Sequence, residues 1–170
     1  GFCCSFSCRD RHAFVVPRYK SGWTMFRSKS ELRELDEILR TIFESDCEKG
    51  GFHVAFDNNI TRSTLDVWPR NVTFCGMIAH HCYANHLGQG AHGLKTCAAR
   101  YLGMGRYDDP LDQWLVEHGH TAEGKPDRDK IYLAPDDLVW LYNGTDSDAS
   151  RRLEAYLTPR MKEAGVWSLF

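Results

Sequence analysis

The sequence predicts an α/β domain, a sheet covered by helices. Three observations point there. Strand-like apolar segments crowd the first half, helical periodicities dominate the second, and 170 residues that are 42% hydrophobic suffice for one sizeable core and not for two. No segment repeats internally. With 14 glycines and 6 prolines the composition is that of neither a low-complexity nor a disordered chain.

The elements follow in order. Gly1 to Cys8 is apolar and aromatic, Arg9-Asp10-Arg11 interrupts it, and His12 to Val16 resumes, a pattern of two strands joined by a polar turn. A loop through Pro17 and Gly22 leads to Ser28-Lys29-Ser30-Glu31, the S-x-x-E of a capping box. Leu32, Leu35, Ile38, Leu39, Ile42 and Phe43 then repeat at helical spacing, and Gly50-Gly51 is the expected stop. Phe52 to Phe56 predicts a short buried strand that feeds a new helix through Asp57-Asn58-Asn59. Val72-Thr73-Phe74 predicts another strand. Helices follow around Met77 to Asn85 and Leu94 to Leu102, separated by Gly88-Gln89-Gly90, and a third opens at Pro110. Residues 119–130 are polar and charged and suit a flexible surface loop. From Pro135 the pattern is helical again, with Thr158-Pro159 as a kink or a fresh start.

Charge and cysteine content exclude several function classes. Lys and Arg number 21 against 23 Asp and Glu, a formal net charge of -2, which rules out a generally polybasic nucleic-acid coat and leaves room for a local groove that grips one strand. The longest stretch free of formal charge, Asn71 to Leu94, carries His80, His81, His86 and His92 with several glycines and is no membrane span, so no membrane partner is expected. Seven cysteines, an odd number with no secretory leader before them, point to a reduced, cytoplasmic compartment. A first residue that is Gly rather than Met suggests a processed chain or a piece of a longer one.

Chemistry-bearing residues fall in three places. Tyr142 and Asp146 stand four apart in a predicted helix, so a turn of about 100° per residue puts both on one face, with Asp148 on the other. A carboxylate there could hold a divalent ion while the phenol orients a water. The plainer alternative is a packed tyrosine beside solvated carboxylates. Asp57 ends the apolar Phe52–Phe56 run, and strand ends are where sites gather in α/β sheets, although Asp before Asn58-Asn59 is also an ordinary helix cap. The histidines and cysteines between Cys75 and Cys97 lack the close paired spacing of structural zinc. His80-His81 is expected to divide between a packed and an exposed face, with the cysteines as small apolar fillers.

Taken in order, three segments resemble one family. They are Phe52-His53-Val54-Ala55-Phe56-Asp57, then Gly90-Ala91-His92-Gly93-Leu94-Lys95-Thr96-Cys97-Ala98 leading to Tyr101-Leu102-Gly103, then Tyr142-Asn143-Gly144-Thr145-Asp146-Ser147-Asp148-Ala149. Together they resemble the 3'-5' exonuclease domain of family A DNA polymerases, the DEDDy exonucleases related to ribonuclease D, over nearly the whole chain. The resemblance implies a single ribonuclease H-like domain over 1–170, three layers with a mixed sheet between helices. It implies catalytic Asp57, Tyr142 and Asp146, with Asp57 and Asp146 as metal ligands and His53 and His92 near the substrate strand. Two magnesium or manganese ions about 4 Å apart would clamp the scissile phosphate, and nucleotides would leave one at a time from the 3' end of single-stranded DNA. Met161 to Trp167 resembles the exit toward a polymerase domain of the same chain.

Three departures go with the resemblance. The family's first motif, D-x-E on the central strand, is not matched, because the chain resembles the family from one strand after it; Asp46-Cys47-Glu48 has the letters at the wrong place, a helix end. The sheet is therefore expected to lack its central strand, and the chain alone to cleave little or nothing. His53 replaces an Asn, and Cys75-Gly76 stands where an Asp-Thr pair is common. Two rivals follow: a non-catalytic exonuclease-like scaffold or nucleic-acid-binding module, and a ribonuclease D-like enzyme on RNA 3' ends, which the same chemistry would serve.

Overall fold

A computed structural model describes residues 3–25, 28–88 and 90–170; Gly1 and Phe2 of the first predicted strand, Phe26 and Arg27 of the loop before the capping box, and Gln89 between the two glycines lie outside the described residues. The chain is mixed α/β. β1 (Cys3–Arg9) and β2 (His12–Pro17) form the expected antiparallel hairpin, with Cys3 opposite Pro17 and Phe6 opposite Phe14. Its polar turn is fastened from a distance, as the Arg11 amide donates to Asp148 Oδ1 at 2.5 Å.

Alternation along β1 builds layers on both sides of it. Cys4 and Phe6 pack against Leu39 of α1 (Lys29–Glu44) and against Leu65 and Val67 at the end of α2 (Val54–Leu65). Cys3 packs with Leu111 and Leu115 of α5 (Asp109–Glu117) and Val139 of α6 (Asp136–Glu163). Ser5 Oγ donates to the Asn143 carbonyl at 2.9 Å and lies 2.5 Å from Ser147 Oγ. Helix α6 approaches the hairpin closely at Gly144, where a Cβ would stand 3.0 Å from Val15 Cγ2.

The capping box forms: Ser28 Oγ accepts from the Glu31 amide at 3.3 Å, and the Ser28 amide donates to Glu31 Oε2 at 2.9 Å. Helix α1 ends at Ser45, not at Gly50-Gly51. Those glycines instead lie in β5 (Lys49–Gly51), which pairs in parallel with β6 (Val72–Cys75), Gly50 opposite Phe74. The predicted Phe52–Phe56 strand is thus displaced toward the N-terminus. At Gly50 a Cβ would meet that of Phe74 at 3.1 Å, so the glycines serve close strand pairing rather than a turn. Phe52 is buried, and α2 already begins at Val54.

Among the described residues, four two-stranded ladders stand in place of the single mixed sheet that was expected: β1–β2, β5–β6, β3 (Tyr19–Lys20) with β4 (Thr24–Met25), and β7 (Thr121–Ala122) with β8 (Lys125–Pro126). The predicted loop at 119–130 contains that last hairpin, turned at Glu123 and Gly124 with φ of 52° and 74°, and then a 3-10 helix, Arg128–Leu133, capped by Asp127. Helices α3 (Gly76–Tyr83) and α4 (Leu94–Leu102) fall where periodicity put them. α6 runs 28 residues straight through Pro159, because its apolar face of Leu153, Leu157 and Met161 is fully buried on both sides of the proline. All seven cysteines are free thiols. Among the described residues no helix is long and apolar enough to cross a membrane.

Candidate active site

Asp57 lies in the first turn of α2 rather than at a strand end, and the helix cap is His53, with no side-chain capping bond. A carboxylate suits that position, where the helix presents unpaired amides and a partial positive charge. The Asp57 carboxylate folds back over β5, its Oδ2 3.3 Å from the point a Gly51 Cβ would occupy. Asp57 is exposed to solvent on one side, while the protein on its other side partly desolvates the carboxyl and pushes it above its usual range; His53 pulls it down, and the negative charge of Asp146 pushes it further up. The charge of Asp146, 89 residues further along the sequence, is thus felt at Asp57.

Asp146 and Tyr142 project from the same face of α6 and share one ammonium. Lys95, in the first turn of α4, places Nζ 2.5 Å from Asp146 Oδ1, 2.7 Å from Oδ2 and 3.0 Å from the Tyr142 hydroxyl, and stacks over the Tyr142 ring at 4.4 Å. Tyr107 donates its hydroxyl to Asp146 Oδ1 at 2.7 Å. Burial, the Asp146 charge and that hydrogen bond all keep the Tyr107 phenol protonated well above its ordinary range.

A second cation reaches Tyr142 from the 3-10 helix. Arg128 Nη1 donates to the Tyr142 hydroxyl at 3.2 Å, while Nη2 is held by Asp108 Oδ2 and Asp112 Oδ2, both at 2.7 Å. Burial opposes the Arg128 charge, but the hydrogen bonds to Asp112 and Asp108 more than offset it and raise the guanidinium pKa. With Lys95 and Arg128 both donating to it, the Tyr142 oxygen accepts from two cations, and its own proton is left to donate outward to a water or a phosphate.

The other residues singled out in the sequence separate clearly. His53 is exposed and stacks on Phe56 at the mouth beside Asp57, ring centroids 6.0 Å apart. His92 turns inward, 7% exposed, its Nδ1 2.8 Å from His80 Nδ1 and its Nε2 3.2 Å from the Leu87 carbonyl. Both of its ring nitrogens are engaged inside the protein. His80 is fully buried and His81 exposed, as the helical split of the pair requires. Asp148 leaves the site for Arg11 and Arg152. Asp46 pairs with Arg70 at 3.3 Å on the surface. Cys75-Gly76 has a packing reason: a Cβ at Gly76 would stand 2.6 Å from the Phe52 ring.

Lys95, Tyr107 and Arg128 were not singled out. Lys95 carries a signal, since a cation in the first turn of a helix sits at the wrong end of the helix dipole. Tyr107 and Arg128 come from connections with no periodicity to give them away.

Asp57, Asp146 and the Tyr142 hydroxyl offer only oxygen donors. That suits magnesium or manganese, which accept one or two carboxylates and complete their shell with water. Among the described residues no group of three or more His, Cys, Asp or Glu is gathered that could hold an ion alone.

No family model matches the chain. The chain is similar to the DNA polymerase of Escherichia phage T5, 33% identical over 75 residues, a match that covers 44% of this chain and 9% of that polymerase. It is thus related to a short stretch of a much longer protein that is named for DNA synthesis.

Proposed function

We propose that the chain is a ribonuclease H-like 3'-5' exonuclease domain of a family A DNA polymerase, which removes nucleotides from the 3' end of single-stranded DNA beside the polymerase domain of the same protein. The observation that supports this reading is the pairing of Tyr142 and Asp146 on one face of α6 around a shared lysine, with Asp57 of α2 near enough to feel the Asp146 charge. The likeness to a phage DNA polymerase supports the DNA side of it.

Asp57 and Asp146 would hold magnesium or manganese, which when bound supplies a polarised phosphate and a water acidic enough to attack. Tyr142, held by Lys95 and Arg128, presents its hydroxyl proton to orient that water. His53 and Phe56, exposed and stacked beside Asp57, offer a face to the terminal base. By the resemblance, a D-x-E strand completes the ligand set. Among the described residues β5 pairs with β6 alone, which leaves an edge where such a strand could add.

The test is cleavage of a 3'-labelled single strand, DNA against RNA, by this chain and by a form extended upstream through a D-x-E strand. The extended form is expected to cleave DNA with magnesium or manganese, and to lose cleavage in Asp146→Asn. Absence of cleavage by the extended form would favour the scaffold reading, and a preference for RNA would favour the ribonuclease.

A further inference from the structure

We propose that Lys95 is an exchangeable counter-ion: it occupies Asp146 until a divalent ion displaces it, and the displaced ammonium then binds a phosphate oxygen of the substrate strand. The proposal rests on the exonuclease reading and assigns that site a phosphate-binding residue. Three observations carry it.

First, the Lys95 ammonium spans both Asp146 oxygens, at 2.5 and 2.7 Å, and Tyr107 takes a further position on Oδ1 at 2.7 Å. An ionised carboxylate offers about four lone-pair positions. Three are filled, so an ion with several ligands to gather must compete with the lysine. Second, the pair is only part-buried, with side-chain exposures of 27% and 24%. Lys95 can therefore swing toward solvent on its flexible stem without exposing core, and a compact ammonium on such a stem is suited to exchange between oxyanions. Third, Lys95 stands in the first turn of α4, where the helix dipole disfavours a cation. Nearby Arg128 is held by two carboxylates, while the ammonium of Lys95 is set on the groups proposed for chemistry. Once displaced from Asp146, it stays tethered within reach of any phosphate held there.

The experiment compares the chain with Lys95→Met and Lys95→Arg, with folding checked by circular dichroism. Manganese binding is followed by loss of the free-ion electron paramagnetic resonance signal. Anisotropy of a cleavage-resistant phosphorothioate single strand is measured against salt at saturating manganese. Lys95→Met is expected to bind manganese about tenfold more tightly than the parent, and Lys95→Arg about as the parent does. With the ion bound, the slope of log affinity against log salt should fall by about 0.7 in Lys95→Met, the loss of one phosphate contact on a single strand. Equal or weaker manganese binding in Lys95→Met, including no binding by any form, overturns the exchange. An unchanged salt slope overturns the phosphate contact. A failure of the underlying site looks different: Asp57→Asn and Asp146→Asn would leave manganese binding as it was.

Discussion

At Asp57, partial desolvation and the charge of Asp146 both favour the protonated carboxyl, and His53 opposes them. Because the folded-state value lies above the unfolded one, the native state binds more protons in the window between them and loses stability as pH rises through it. Asp57→Asn removes that loss. The variant is expected to be more stable at neutral pH by ~0.5 kcal/mol or less, since solvent screens so exposed a carboxyl, and to lose the gain in urea midpoint that manganese gives the parent. Tyr142→Phe poses the reverse case. Its hydroxyl accepts from Lys95 and Arg128, but Lys95 keeps Asp146, and Arg128 keeps Asp108 and Asp112, so unfolding should cost at most about 1 kcal/mol less. Cleavage by the form with a complete ligand set should fall about 100-fold, and equal rates in Phe and Tyr forms would make the phenol a packing group. Tyr142 and Asp146 were legible because a four-residue spacing on a helix fixes a shared face. The cations that hold them were not, because Lys95, Tyr107 and Arg128 reach the site from separate segments that only tertiary packing brings together.

Elements were legible where periodicity and capping chemistry agree, and illegible where tertiary packing decides. Helix α1 starts at its capping box and α4 fills its predicted range, whereas the strand before α2 moved because Gly50 and Gly51 permit close pairing that their turn-forming habit conceals. His92, expected near the substrate strand, links α3 to the turn before α4. Its Nε2 faces the Leu87 carbonyl and must donate, so its Nδ1 accepts from His80 Nδ1, and His80 Nε2 accepts from the Tyr101 hydroxyl at 2.8 Å. Burial, then the charges of His92, Arg100 and His81, holds His80 down to about 4 from 6.5. A depressed histidine withholds a proton that the unfolded chain takes up, so stability is full above the unfolded value and drains as pH falls. Urea midpoints should drop between pH 6.5 and about 4 in the parent. The drop should flatten in His80→Gln, which keeps a donor and an acceptor and carries no titratable ring; parallel profiles would remove His80 from the account.

On the scale of the whole molecule, α6 is the member most of the site's neighbours lean on: the hairpin lies along it through Ser5, Gly144 and Asp148, and β5, α3, α4 and α5 pack against it. The site depends on this arrangement, since Asp146 rides on α6 itself, Lys95 on α4 and Asp57 on the segment that follows Phe52. Those three carriers meet at Leu153, which is fully buried in one cluster with Phe52 and Cys97. Leu153 lies two helical turns from Asp146, Cys97 two residues from Lys95, and Phe52 one residue before the cap of α2. Leu153→Ala would leave a cavity where they join, at a cost of about 2–5 kcal/mol, the range for a buried leucine whose surroundings relax only partly. A chain whose remaining contacts hold should still fold, with a lower urea midpoint. Its manganese affinity should fall as well, because the carboxylates would no longer be held in one relation while every ligand remains in place. Leu157→Ala is the matched control. It removes the same volume from the separate cluster of Phe74, Ala79 and Met161, and should lower the midpoint comparably with manganese affinity kept. Equal loss of manganese affinity in both variants would mean that the site follows global stability rather than this junction.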